Sequence, residues 1–76
     1  MRILVVEDDR SIRDFLKSSL EQEHFAVDTA EDGNRGVYLA KTNEYDVILL
    51  DNVTPGMHGK MVCAEVRAAG RTTPII

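Results

Sequence analysis

A single cysteine, Cys63, rules out an internal disulfide in this 76-residue chain, which suits a reducing cytoplasm. No apolar run approaches the ~20 residues of a membrane span. Met1-Arg2-Ile3 leads directly into a strand pattern rather than a leader peptide. Phosphate-binding glycine motifs are missing as well. The first turn after an apolar run reads Glu7-Asp8-Asp9 where a dinucleotide fold needs glycines, and no phosphate-loop lysine motif is present. Gly33-Asn34-Arg35-Gly36 reads as a turn entering a helix. There is no repeat, linker or low-complexity stretch. Bases are the minority: residues 1–59 hold 12 acids against 6 bases, while residues 60–76 hold 1 acid against 3 bases. An acidic body argues against nucleic acid as a direct partner and suits a cation or a basic protein surface.

What is present is a short α/β pattern. Ile3-Leu4-Val5-Val6 is a continuous, β-branched apolar run of the kind buried on both faces of a parallel sheet. Asp9 or Ser11 then opens a helix with Ile12, Phe15, Leu16 and Leu20 at helical spacing. His24 stands where a left-handed residue would end that helix. Residues 25–30 alternate as a second strand, Glu31-Asp32-Gly33 turns, and residues 34–42 form a weaker helix diluted by Gly36. Val47 to Leu50 is the most apolar strand. A loop over residues 52–58 follows, then a helix from about Gly59 to Ala69 with Val62, Cys63 and Val66 inward. Gly70 stops it, and Pro74-Ile75-Ile76 begins a fourth strand. Strands alternating with helices imply right-handed βαβ units, a parallel sheet and helices on both faces.

Two strands end on acids: Val6 runs into Glu7-Asp8-Asp9 and Leu50 into Asp51. In an open parallel sheet, ligands bind beyond the carboxyl ends of the strands where strand order reverses. If strands one and three are neighbours, Glu7, Asp8 and Asp51 converge there. Clustered carboxylates repel one another, and a hard divalent cation such as Mg²⁺ relieves that repulsion. Asp51, alone on its strand tip, is the natural nucleophile for a phosphoryl group, since carboxylates form aspartyl phosphates. The plainer alternative, acids acting as turn formers or helix caps, remains open on spacing alone. His58 reads as a solvated loop residue and Cys63 as a small packing residue. No general base stands out near Asp51, which sets a metal-assisted phosphatase aside.

The stretches "ILVVEDDRSIRDFL", "AEDG", "YDVILLD", "TPGMHG" and "RTTPII" together resemble the receiver domain of two-component response regulators. They are most similar to the subfamily whose receivers control winged-helix transcription factors. The resemblance runs the length of the chain. It implies a flavodoxin-like (CheY-like) sheet ordered 2-1-3-4-5 and a regulatory acceptor rather than an enzyme. Asp51 would be the phosphoacceptor, with a histidine kinase as donor. Asp8 would bind Mg²⁺ directly, Glu7 through water, and Val53 through its backbone carbonyl. Pro55 and Gly59 match the family's loop after the acceptor. Asn52, Thr54, His58, His24 and Gly36 depart from the family's usual residues without removing a ligand or the acceptor.

The chain reaches Ile76 before the hydroxyl residue and lysine that receivers carry after strands four and five. The resemblance therefore implies a partial receiver over residues 1–76, β1α1β2α2β3α3β4, with its phosphoryl switch incomplete. An uncovered sheet edge and apolar surface would favour a homodimer or domain-swapped self-association. The alternative reading is a non-signalling half-domain that assembles through that edge.

Overall fold

The computed structural model describes residues 1–51 and 57–76. Its elements run β1 (Arg2–Val6), α1 (Arg10–Gln22), β2 (Ala26–Ala30), α2 (Gly33–Thr42), β3 (Val47–Leu50) and α3 (Gly59–Ala68). The three strands form a parallel sheet ordered β2-β1-β3. The chain thus reverses its strand order beside β1, and β1 and β3 are the neighbours that the acid-tip reasoning required. Val6 pairs with Ala30 on one side and Leu50 on the other, so the three strand ends lie level.

The fourth strand expected at Pro74–Ile76 is reduced to a single parallel bridge from Ile75 to Ile48 of β3. Its backbone hydrogen bonds are nonetheless regular: Ile48 N–H donates to the Pro74 carbonyl, Ile76 N–H to Ile48, and Leu50 N–H to Ile76, each at 2.9 Å.

Alternation along β1 divides the core. Leu4 and Val6 point to one face, where Ile48, Val37, Ala40, Val62 and Val66 from β3, α2 and α3 close over them. Ile3 and Val5 point to the other, with Val27 and the partly buried Leu16 and Leu20 of α1. The continuous apolar run is buried on both faces, as its composition required.

Local signals account for the helix ends. Asp9 caps α1, its Oδ1 accepting from Ile12 N–H at 3.1 Å, so Asp9 and not Ser11 opens the helix. At the other end His24 adopts φ 69°. His24 N–H donates to Glu21 O at 2.9 Å and Phe25 N–H to Leu20 O at 3.3 Å, the paired bonds of a Schellman stop. Phe25 serves that stop, and β2 begins one residue later. Gly70, at φ 82°, ends α3 through the equivalent bonds from Gly70 to Arg67 and from Arg71 to Val66.

Two sequence readings change. Gly33 is the first residue of α2 rather than part of a turn, because Asp32 caps the helix through Arg35 N–H at 2.8 Å. Gly36 does more than dilute that helix: a Cβ there would lie 2.8 Å from Val6 Cγ2, so its absence lets α2 seat on β1.

At the amino end of the strands, away from the acid-bearing tips, Arg2, Asp28 and Tyr45 lock β1 to its neighbours. Arg2 meets Asp28 Oδ2 at 3.0 Å, and the Tyr45 hydroxyl donates to the same oxygen at 2.7 Å. Burial, and then the Asp28 hydrogen bond, raise the Tyr45 pKa, so its hydroxyl stays a donor.

Candidate metal and phosphoacceptor site

Glu7, Asp8 and Asp51 meet at the carboxyl ends of β1 and β3. One carboxylate oxygen from each lies within 4.8 Å of the others. Backbone pairing carries the strand tips into place: Glu7 N–H donates to Ala30 O and Asp51 N–H to Val6 O, both at 3.0 Å. Arg13, one turn into α1, reaches back and donates to the Glu7 carbonyl at 2.9 Å and the Asp8 carbonyl at 3.2 Å. The turn that presents two acids is therefore tied to the helix it opens. Sequence reasoning missed Arg13; a base in the first turn after an acidic triplet is a weak signal at best.

The three acids occupy different environments. Glu7 is buried at 7% exposure, Asp51 is half-buried and Asp8 is exposed. A hydrogen bond to Asp51, then burial, then the charges of Asp51, Asp8 and Asp9 raise the Glu7 pKa from 4.5 to about 7. A shared hydrogen bond between two carboxyls requires one of them to carry a proton. The other Glu7 oxygen, Oε2, is buried without a hydrogen-bond partner. A buried, unpartnered carboxylate oxygen beside two more carboxylates is a hard, oxygen-only donor set. It fits a divalent cation that keeps some of its water.

The remaining candidates separate clearly. Val53, expected to lend its carbonyl, lies outside the described residues, as do Asn52, Thr54 and Pro55. His58 is exposed and caps α3, its Nδ1 accepting from Lys60 N–H at 3.3 Å. Cys63 is a free thiol of intermediate burial, less inward than Val62 and Val66. Beside the acids a pocket of about 210 Å³ opens on the α1 side, lined by Glu7 and Asp51 with Val5, Leu16, Leu49 and Ile76 among others. No helix among the described residues is long and apolar enough to cross a membrane.

Comparison with known proteins places this arrangement. The response regulator receiver domain model matches residues 3–76. The transcriptional regulatory protein ResD of Bacillus subtilis is 43% identical over 75 residues, covering 99% of this chain and 31% of ResD. The chain spans about a third of the length of ResD and of other curated relatives it matches. The response regulator TrrA of Thermotoga maritima, solved in complex with Mg²⁺–BeF, superposes with a TM-score of 0.89 at 38% identity, over 97% of this chain and 64% of TrrA. TrrA solved in complex with the histidine kinase ThkA superposes at 0.87 over the same shares. The β2-β1-β3 sheet with helices on both faces is the receiver architecture, and the chain belongs to the response regulator receiver domain family.

Proposed function

We propose that the chain is the phosphoacceptor portion of a two-component response regulator, with Asp51 as the residue that takes the phosphoryl group. The observation that carries this reading is the convergence of Glu7, Asp8 and Asp51 within 4.8 Å at adjacent strand tips. Asp8 and Asp51 would hold Mg²⁺ directly, Glu7 through water, and Val53 by its backbone carbonyl. When bound, the cation neutralises charge on the phosphoryl oxygens. An Asp51 carboxylate oxygen attacks phosphorus, the nitrogen–phosphorus bond of the kinase's phosphohistidine breaks, and the imidazole keeps the bonding electron pair. Glu7 must give up its proton for the cation to bind, so occupancy rises with pH across the range in which Glu7 titrates.

The solved complex of TrrA with a histidine kinase supports a histidine kinase as donor. The names of the relatives support a parent whose output is transcriptional; by the resemblance of the sequence, that output would be a winged-helix factor acting in the cytoplasm. The family match over residues 3–76 favours this reading over a non-signalling half-domain. Self-association remains part of the proposal because Ile12 and Phe15 of α1 stand 48% and 69% exposed.

The test is a Mg²⁺ titration followed by backbone NMR, then treatment with Mg²⁺ and acetyl phosphate followed by intact-mass measurement. Saturable shifts at Asp8, Asp51 and Val53, and the mass gain of one phosphoryl group, are expected in the parent chain and not in Asp51→Asn. A chain whose spectrum is unmoved at millimolar Mg²⁺ would sink the reading.

A further inference from the structure

We infer that Gly33 is a positioning residue for the acceptor loop, acting through Met57. The inference rests on the Mg²⁺ reading of the site and asks what else in the chain sets that site's geometry. Asp51 is tied at one end of the loop by its N–H bond to Val6 O. Met57, six residues on, is the next described residue, and it lies against the first turn of α2. A Cβ at Gly33 would come 2.6 Å from Met57 O, 2.7 Å from Met57 Cβ and 3.1 Å from Met57 Cα. Two of those three atoms are backbone, so no rotamer change relieves the contact. Any side chain at 33 must push the Met57 backbone away from α2, or push α2 away from the sheet.

Gly36, one turn along the same helix, supplies the internal contrast. A Cβ there would meet only side-chain atoms of Val6, at 2.8 Å and beyond. Its substitution strains the packing of α2 on β1, whereas substitution at 33 displaces the main chain that leads out of the acceptor loop. Neither the glycine pair nor the helix start is a ligand site. Gly33 matters because a close backbone approach fixes the far end of a segment whose near end is Asp51. Met57 also precedes His58, the cap of α3, and its partly buried side chain packs on the core formed with α2 and α3. Displacement at Met57 therefore cannot be absorbed at no cost on its carboxyl side.

The experiment compares Gly33→Ala with Gly36→Ala in the whole chain, reading metal-free amide shifts, thermal midpoint and Mg²⁺ affinity. Both variants are expected to melt below the parent. Gly33→Ala should in addition shift the metal-free amides from Asp51 to His58 and weaken Mg²⁺ binding by about tenfold, the usual scale for supports of a metal ligand. Gly36→Ala, which presses on the Val6 side chain and not on the main chain at Met57, should leave the amides of Met57 and His58 where they stand in the parent. Parent-like affinity in Gly33→Ala, or shifts at Met57 and His58 that are equal in the two variants, overturns the inference.

Should Gly33→Ala fail to fold, Met57→Gly loosens the same seat without adding an atom. It is expected to weaken Mg²⁺ binding in the same direction, and parent-like affinity there also overturns the inference. If the parent itself shows no saturable Mg²⁺ shifts, the metal reading falls. The metal-free spectra then decide Gly33 alone: amide changes confined to α2, with none from Asp51 to His58, overturn its positioning role.

Discussion

The two faces of the sheet are finished to different degrees. On one, α2 and α3 close over Leu4, Val6, Ala30, Ile48, Val62 and Val66, all at 1% exposure or less. On the other, α1 covers Ile3 and Val5 but contributes no buried residue of its own; Leu16 and Leu20 are only partly buried, and Ile12 and Phe15 face outward. The pocket that includes Glu7 and Asp51 opens on this second side. The closed face holds the strands in register, while the α1 face is the more exposed one in a chain that spans about a third of its relatives' length.

The contrast is broken most severely from the closed side. Leu4 is fully buried there. Leu4→Ala is expected to cost about 2–5 kcal/mol, the usual range for a buried leucine truncated in a packed core. A core of this size rarely supplies more than roughly 3–5 kcal/mol in total, so the variant should be largely unfolded at room temperature. Leu16→Ala, the same chemistry on the open face, should cost markedly less and stay folded. Urea unfolding of the two checks the pair. Equal losses would mean that the faces do not differ energetically in the way their burial implies.

Protonation at the site gives the next largest effect. In the folded chain Glu7 titrates at about 7 against 4.5 when unperturbed. Between those values the folded state holds a proton that the unfolded state has released. The stability this provides is fully present below about 4.5 and is lost as pH rises through about 7. Thermal midpoints measured without Mg²⁺ should therefore fall from pH 5 to pH 8. Glu7→Gln should flatten that fall, and saturating Mg²⁺ should oppose it by favouring the ionised form. A Glu7→Gln chain with the parent's full pH dependence would place the titrating group elsewhere.

The same two faces explain what could be read from the sequence. Val47 to Leu50 and Ile3 to Val6 were legible because continuous β-branched runs have few other uses, and their acid tips followed from strand adjacency. The second helix was harder. Gly36 looks like a helix weakener in one dimension, and only the 2.8 Å approach to Val6 shows that a larger residue would press on the β1 side chain beneath it. Arg13 and the Arg2–Asp28–Tyr45 lock escaped notice because polar contacts between distant residues leave no periodic trace. The first helix was legible as a helix but not in its packing. Helical spacing groups Ile12, Phe15, Leu16 and Leu20 on one stripe, yet only Leu16 and Leu20 pack on the core beneath α1, and Ile12 and Phe15 stand exposed. The fourth strand appeared from composition, and Ile75 pairs as expected, but too few residues engage for more than a bridge.

The smallest effect sharpens the comparison from the open side. Phe15 is 69% exposed on α1, so Phe15→Ser removes little buried area. Its effect on folding stability should stay within about 0.5 kcal/mol, as for most surface substitutions. Its effect on association should be larger, because a phenylalanine beside Ile12 is apolar surface that a second chain would cover. Sedimentation velocity over a concentration series separates the two readouts. If the parent self-associates and Phe15→Ser is displaced toward monomer with an unchanged melting temperature, the outer face of α1 is the contact. If the two chains sediment alike, the exposed stripe plays no part in assembly.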